Sequence, residues 1–251
     1  MAHLRSVNRR RFLGAAGAIL SAAVVGDRSL SARDPLRVRL FLTDRASDYD
    51  GLAARVQGYL GAALDEAHSE TRITVVDRDV SLPSEEGQSS LSRRWPLMVV
   101  RSAARRRDVK LTDGVNLLVT DGDPRNQPAG FARRHVAAAT GARLIARMPP
   151  VAETDAVVPY TIRAAATQLV IHEVGHALGL AHAHGRATVT DGGVAASPMV
   201  GSYIWQGAKA RRRYLGAASA CGDPFTVPDA GAPRQLDLRY SACAIAELID
   251  G

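Results

Sequence analysis

Apolar and polar positions alternate through residues 36–43, LRVRLFLT, where Arg37 and Arg39 separate Leu36, Val38 and Leu40. A period of two predicts a half-buried strand. The period then lengthens. Leu52, Val56, Tyr59, Leu60, Ala63, Leu64 and Ala67 recur at helical spacing, which predicts a helix from Gly51 to about His68 with Asp50 as its cap. TRITVVDRDV, residues 71–80, reads as a second strand, and residues 81–96, with their Pro, Ser, Gly and Gln, as a loop. PLMVVRSA, residues 96–103, is expected to be a further strand or an insertion. GVNLLVTDG, residues 114–122, is an apolar run closed by turn residues, the pattern of a buried central strand. GFARRHVAA and ARLIARM flank Thr140-Gly141 and predict two short strands.

From Tyr160 to Leu178 the pattern is apolar on most sides, which predicts one long buried helix. Pro159 suits its start, and Gly179 stands where a left-handed residue would end it. SACAIAELI, residues 241–249, reads as a closing helix. Strands and helices in this order predict an α+β domain, α/β-like in its first part, around a twisted sheet.

With 251 residues the chain can build one sizeable core, or a catalytic domain with a small appendage. Its net charge of +7 is unevenly placed: residues 1–31 hold five Arg and one Asp, a net of +4, which leaves +3 for the rest. The remaining basic runs carry no interleaved aromatic residues, so a solvated surface is expected and not a nucleic-acid face. The charged start precedes an apolar stretch from Phe12 to Gly26, the length of a signal peptide and short of a bilayer span. Arg9-Arg10-Arg11-Phe12-Leu13 resembles the twin-arginine export signal, and an ordinary secretory signal is the alternative. Residues 1–31 are therefore expected to be an export segment, cut after Ala23 or near Ser31-Ala32. Either signal places the mature protein outside the cytoplasm, with no other segment expected to span a membrane. In that setting the cysteine pair Cys221 and Cys243 is expected to form a disulfide, closing a loop worth about 3 kcal/mol in the chain-entropy model.

Four of the seven histidines fall within IHEVGHALGLAHAH, residues 171–184. His172 and His176 are four apart, so on a helix both imidazoles face one way and can reach one ion. Gly179 can end the helix and turn the chain back to present His182 as the third ligand. Three neutral imidazoles leave one position open on a tetrahedral zinc, the pattern of a catalytic site. Glu173 follows His172 at about 100° round the helix, beside the ligand face. A carboxylate there can take a proton from a metal-activated water and pass it to a leaving nitrogen. His184 is expected to lie outside the ligand set.

The pattern His172-Glu173-x-x-His176-x-x-Gly179-x-x-His182 resembles the metzincin metallopeptidases. That resemblance implies a zinc-dependent endopeptidase with one Zn2+ and a protein or peptide substrate. It also implies a methionine turn beneath the metal, for which Met199 in AASPMVGSY is the candidate. Gly201 occupies the place of a further tyrosine ligand in some members, so Tyr203 is expected to pack and not to bind metal. The implied fold has an upper subdomain, about 36–182, with a mixed twisted sheet, a backing helix and the zinc helix. A small irregular lower subdomain, about 183–251, would end in a helix. An antiparallel edge strand along the cleft would pair with the substrate backbone, with Gly130–Val136 as the candidate. Residues 183–198 are expected to shape one side of the specificity pocket. No cysteine precedes the zinc helix in the described pattern, so a cysteine latch is not expected. The archaeal members with a second, cysteine-rich zinc site are expected to fit poorly. The alternatives are a non-catalytic zinc-bearing binding domain, which the intact Glu173 disfavours, and a zinc amidase acting on cell-wall amides.

Overall fold

The computed structural model describes residues 35–68, 70–76, 80, 90–105, 113–122, 127–216, 218–222, 225 and 231–250. The expected export segment lies outside the described residues, as does most of the expected loop at 81–96. Among the described residues no helix is long and apolar enough to cross a membrane.

The first sheet contains β1 (Leu36–Leu42), β2 (Thr71–Val75), β3 (Val115–Thr120), β4 (Gly130–Arg133) and β5 (Val136–Thr140), in the order β2-β1-β3-β5-β4. All neighbours pair in parallel except β4, which runs antiparallel along β5 at the edge. Alternation sorts the side chains between two cores. Leu36, Val38, Leu40 and Leu42 of β1 and Val115, Leu117 and Val119 of β3 enter the larger core, while Phe41 and Leu118 enter the smaller one. Helix α1 (Leu52–Leu64) covers the first face through the positions its spacing predicted. Its N-cap is Gly51, with φ +75° and no side-chain cap, so Asp50 does not cap it.

Two segments, one expected to be a strand or an insertion and one a strand, are helices. Residues 96–103 belong to α2 (Trp95–Arg105), entered through a turn of π-helix at Ser90–Arg94. Leu91, Trp95 and Val99 recur every four residues and pack on the second face of the sheet. Trp95 packs on Phe41 with the rings tilted by 57° and their centroids 5.0 Å apart, and donates its indole N–H to Ala137 O at 3.0 Å. Pro96 follows closely on the π-helical turn, and with the Val99-Val100 pair it masks the longer period. The second is α3 (Ala142–Ala146), begun by Gly141 at φ +108°. Only Ala142 and Ile145 are buried along its five residues, too few for a helical period to stand out.

Helix α4 (Ile162–Ala177) lies over the larger core as one buried element. Thr161 caps it, its hydroxyl accepting from Ala164 N–H at 3.1 Å. A second sheet combines β6 (Val157–Pro159), just before α4, with β7 (Ala187–Thr190), β8 (Gly193–Ala196) and β9 (Arg234–Asp237) after it, in the order β6-β9-β8-β7. Only β8 and β9 pair in parallel. The region expected to be irregular is thus sheet-bearing. Strands of three or four residues are too short to show alternation, and their partners are distant in sequence. The chain closes with α5 (Ala208–Tyr214) and the expected terminal helix, α6 (Ala242–Asp250).

Gln168 fastens α4 to the second sheet. Its buried side-chain amide donates to Ala196 O on β8 and to Asp237 O on β9, both at 2.7 Å. Gln168→Leu leaves two carbonyls without that donor. It is expected to lower stability by about 2 kcal/mol, read as a lower urea midpoint at unchanged slope. An unmoved midpoint would mean that the amide does not fasten the sheet.

Candidate metal centre

His172 and His176 project from α4 one turn apart, with ring centroids separated by 4.5 Å. The helix then ends in a Schellman motif: Gly179 N–H donates to His176 O at 3.1 Å and Leu180 N–H to Gly175 O at 2.9 Å. Gly179 has φ +109°, the left-handed conformation expected of it. The chain turns back and a 3-10 turn at His182–His184 brings the His182 ring to 5.1 Å from His172 and 4.7 Å from His176. One nitrogen from each of the three lies within 4.8 Å of the others.

Each imidazole is held by its far nitrogen. His172 Nδ1 bonds Pro198 O at 2.7 Å, His176 Nδ1 bonds Leu180 O at 2.7 Å, and His182 Nδ1 bonds Tyr214 O at 3.0 Å. A carbonyl oxygen only accepts, so each Nδ1 carries the proton and each Nε2 keeps a lone pair. The lone pairs of His176 Nε2 and His182 Nε2 meet at 3.1 Å. Two such acceptors repel unless a cation lies between them. A tetrahedral ion with N ligands at roughly 2.0–2.1 Å sets its ligands ~3.3 Å apart, so the donor set fits zinc. Burial holds His172 down to about 3, with the neighbouring His176 adding to the effect. Burial also lowers His176 and His182. Burial thus favours the neutral form of all three, the form in which an imidazole binds metal.

Glu173 is buried beside His172 in the same cleft, and burial pushes its carboxyl up to about 8. A carboxyl poised there exchanges a proton readily near neutral pH. The start of β4 presses on it: a Cβ on Gly130 would run into the Glu173 carboxylate. The cleft contains a cavity of about 310 Å³, lined in part by Gly130, Ile162, Leu169, His172, Glu173 and Tyr203. Apart from Pro198, its walls come from outside the 183–198 stretch expected to shape it.

Met199 is fully buried, and a Cβ on Gly175 would lie 2.6 Å from its sulfur, so it packs against α4 between the two helical histidines. The preceding residue, Pro198, supplies the carbonyl that holds His172. His184 turns away from the trio. Its Nδ1 accepts from Ala181 N–H at 3.1 Å, and its Nε2 lies 3.9 Å from Glu247 Oε2. Tyr203, expected to pack, does so at the site itself: its ring lies 4.9 Å from that of His182 and stacks on Tyr214 at 4.6 Å. Burial, then the nearby Glu173 carboxylate, raises its phenol. Cys221 and Cys243 are brought together with Cα atoms 5.6 Å apart, within the range a disulfide spans.

Sequence spacing carried no signal for Gly130, Tyr203 or the carbonyls of Pro198, Leu180 and Tyr214. The carbonyls act through the backbone, which has no residue type to read, and the Gly130 backbone and the Tyr203 ring are brought in by tertiary packing.

Comparison with protein-family models and with curated proteins finds no match. Among solved structures, the chain is similar to the archaemetzincin of Methanopyrus kandleri, with 17% sequence identity, coverage of 59% of this chain and 76% of that chain, and a TM-score of 0.36.

Proposed function

We propose that the chain is an exported zinc-dependent endopeptidase of metzincin type. One observation carries the reading: three imidazoles, each fixed through Nδ1 to a carbonyl, converge their Nε2 atoms beside the buried Glu173 carboxyl. His172, His176 and His182 hold the ion, and three protein ligands leave a position for a reacting molecule. When bound, zinc supplies Lewis-acid chemistry, acidifying water and polarising a carbonyl. Glu173 takes the proton from the attacking water and returns it to the departing amine. Met199 supports the imidazoles as packing. The outer edge of β4, unpaired among the described residues and beginning at Gly130 against Glu173, offers main-chain groups to an extended peptide and aligns its scissile bond with the base. Export by the twin-arginine route belongs to the same reading and rests on Arg9-Arg10-Arg11-Phe12-Leu13.

The test is metal content and hydrolysis together. The purified chain is expected to hold one zinc and to cleave members of a peptide library. A strong chelator should abolish cleavage, and added zinc should restore it. Cleavage of isolated cell-wall fragments with peptides untouched would move the reading to an amidase. Bound zinc without hydrolysis of either would make the chain a binding domain.

A further inference from the structure

His182 differs from its two partners in what holds it. His172 and His176 ride on a buried helix, whereas His182 stands on a short turn whose backbone is gripped from two sides. Ala220 N–H donates to Ala183 O, and Ser241 Oγ donates to His184 O. The gripping residues are close in sequence to the two cysteines: Ala220 precedes Cys221, and Ser241 lies two residues before Cys243 at the start of α6. Cys221 and Cys243 are themselves joined. Tyr214, at the end of α5, completes the enclosure through the carbonyl that bonds His182 Nδ1.

Building on the metal reading above, we propose that the Cys221–Cys243 bond, with Ser241, positions the third metal ligand. The bond joins two separate strips of chain into one clasp around residues 182–184. With the bond closed, neither strip can leave without the other, and the His182 ring stays aimed at the Nε2 atoms of His172 and His176. With it open, the Ala220 and Ser241 contacts become independent. The turn then departs more often, and metal held by the two helical imidazoles alone is lost faster. Opening takes two electrons: a dithiol is oxidised to its disulfide, the protein S–S bond breaks, and each cysteine sulfur takes up one proton. Metal retention is thereby tied to the redox state of a pair that touches no metal.

The readout is zinc affinity of the full chain, measured by competition with a chromophoric chelator and needing no catalysis. The double variant Cys221→Ser with Cys243→Ser is expected to bind zinc about 10–100-fold more weakly, the effect of losing support behind a metal ligand. Val99→Ala opens the small core on the far face of the first sheet and controls for lowered stability, so it should keep wild-type affinity. Wild-type affinity in the double variant would overturn the proposal and leave the bond as a staple of stability. Should the double variant fail to fold, Ser241→Ala decides with the bond intact: weakened zinc binding supports the clasp, and unchanged binding overturns it. A wild-type chain that binds no zinc would overturn the metal reading itself. A wild-type chain that binds zinc with an affinity indifferent to the bond would overturn only the clasp.

Discussion

Replacing Glu173 by Gln is expected to lower peptide hydrolysis by about 10²–10⁴-fold, the range for loss of a general base. One bound zinc should remain. The amide keeps the size of the carboxyl, so it fills the same space against Gly130, where a Cβ would already collide. It does not accept a proton near neutral pH, and it takes no part in holding His172, His176 or His182, whose supports are all carbonyls. The variant therefore separates base from ligand set. Zinc content by elemental analysis, with turnover on a cleavable peptide, checks both halves. Equal turnover in the two proteins would remove Glu173 from the chemistry. Loss of zinc together with activity would make it part of the metal site instead.

The second large effect belongs to the third ligand. His182→Ala leaves two imidazoles on α4 and is expected to weaken zinc binding by more than the ~10–100-fold that follows loss of a supporting hydrogen bond. His184→Ala removes an imidazole from the same turn, but one whose nitrogens face Ala181 N–H and Glu247. It should change zinc affinity little. Titration of both variants against a competing chelator compares them directly. Equal zinc loss in the two would mean that the third ligand has been misassigned.

The histidine pattern was legible because helical geometry makes it local. Spacing of four on an apolar helix, a glycine able to adopt positive φ, and a histidine three residues later are all readable from one stretch. The two central strands of the first sheet were legible for a similar reason: GVNLLVTDG and LRVRLFLT carry enough apolar positions to announce them. What escaped is set by distance along the chain. The second sheet joins segments near residues 157, 187, 193 and 234, each too short to carry a period. Helix α2 escaped because β-branched residues and a proline outweighed the Leu91, Trp95, Val99 spacing. At the site, Gly130 reaches Glu173 across 43 positions and Tyr214 reaches His182 across 32, and nothing local records either approach.

Helix α4 is buried against elements from both sheets, and Gln168 and Tyr240 bind it from the second side, the latter through its hydroxyl to Ile171 O at 2.6 Å. Beyond its exposed first turn, a helix enclosed in this way has little local route to opening, and its amides there are expected to exchange slowest, mainly when the whole domain unfolds. The turn that bears His182 is half-exposed and sits outside that unit. The site thus joins two regimes of motion: a pair of imidazoles whose lifetime is that of the fold, and a third whose lifetime is that of a surface turn. A metal held by all three is expected to exchange with the faster of the two.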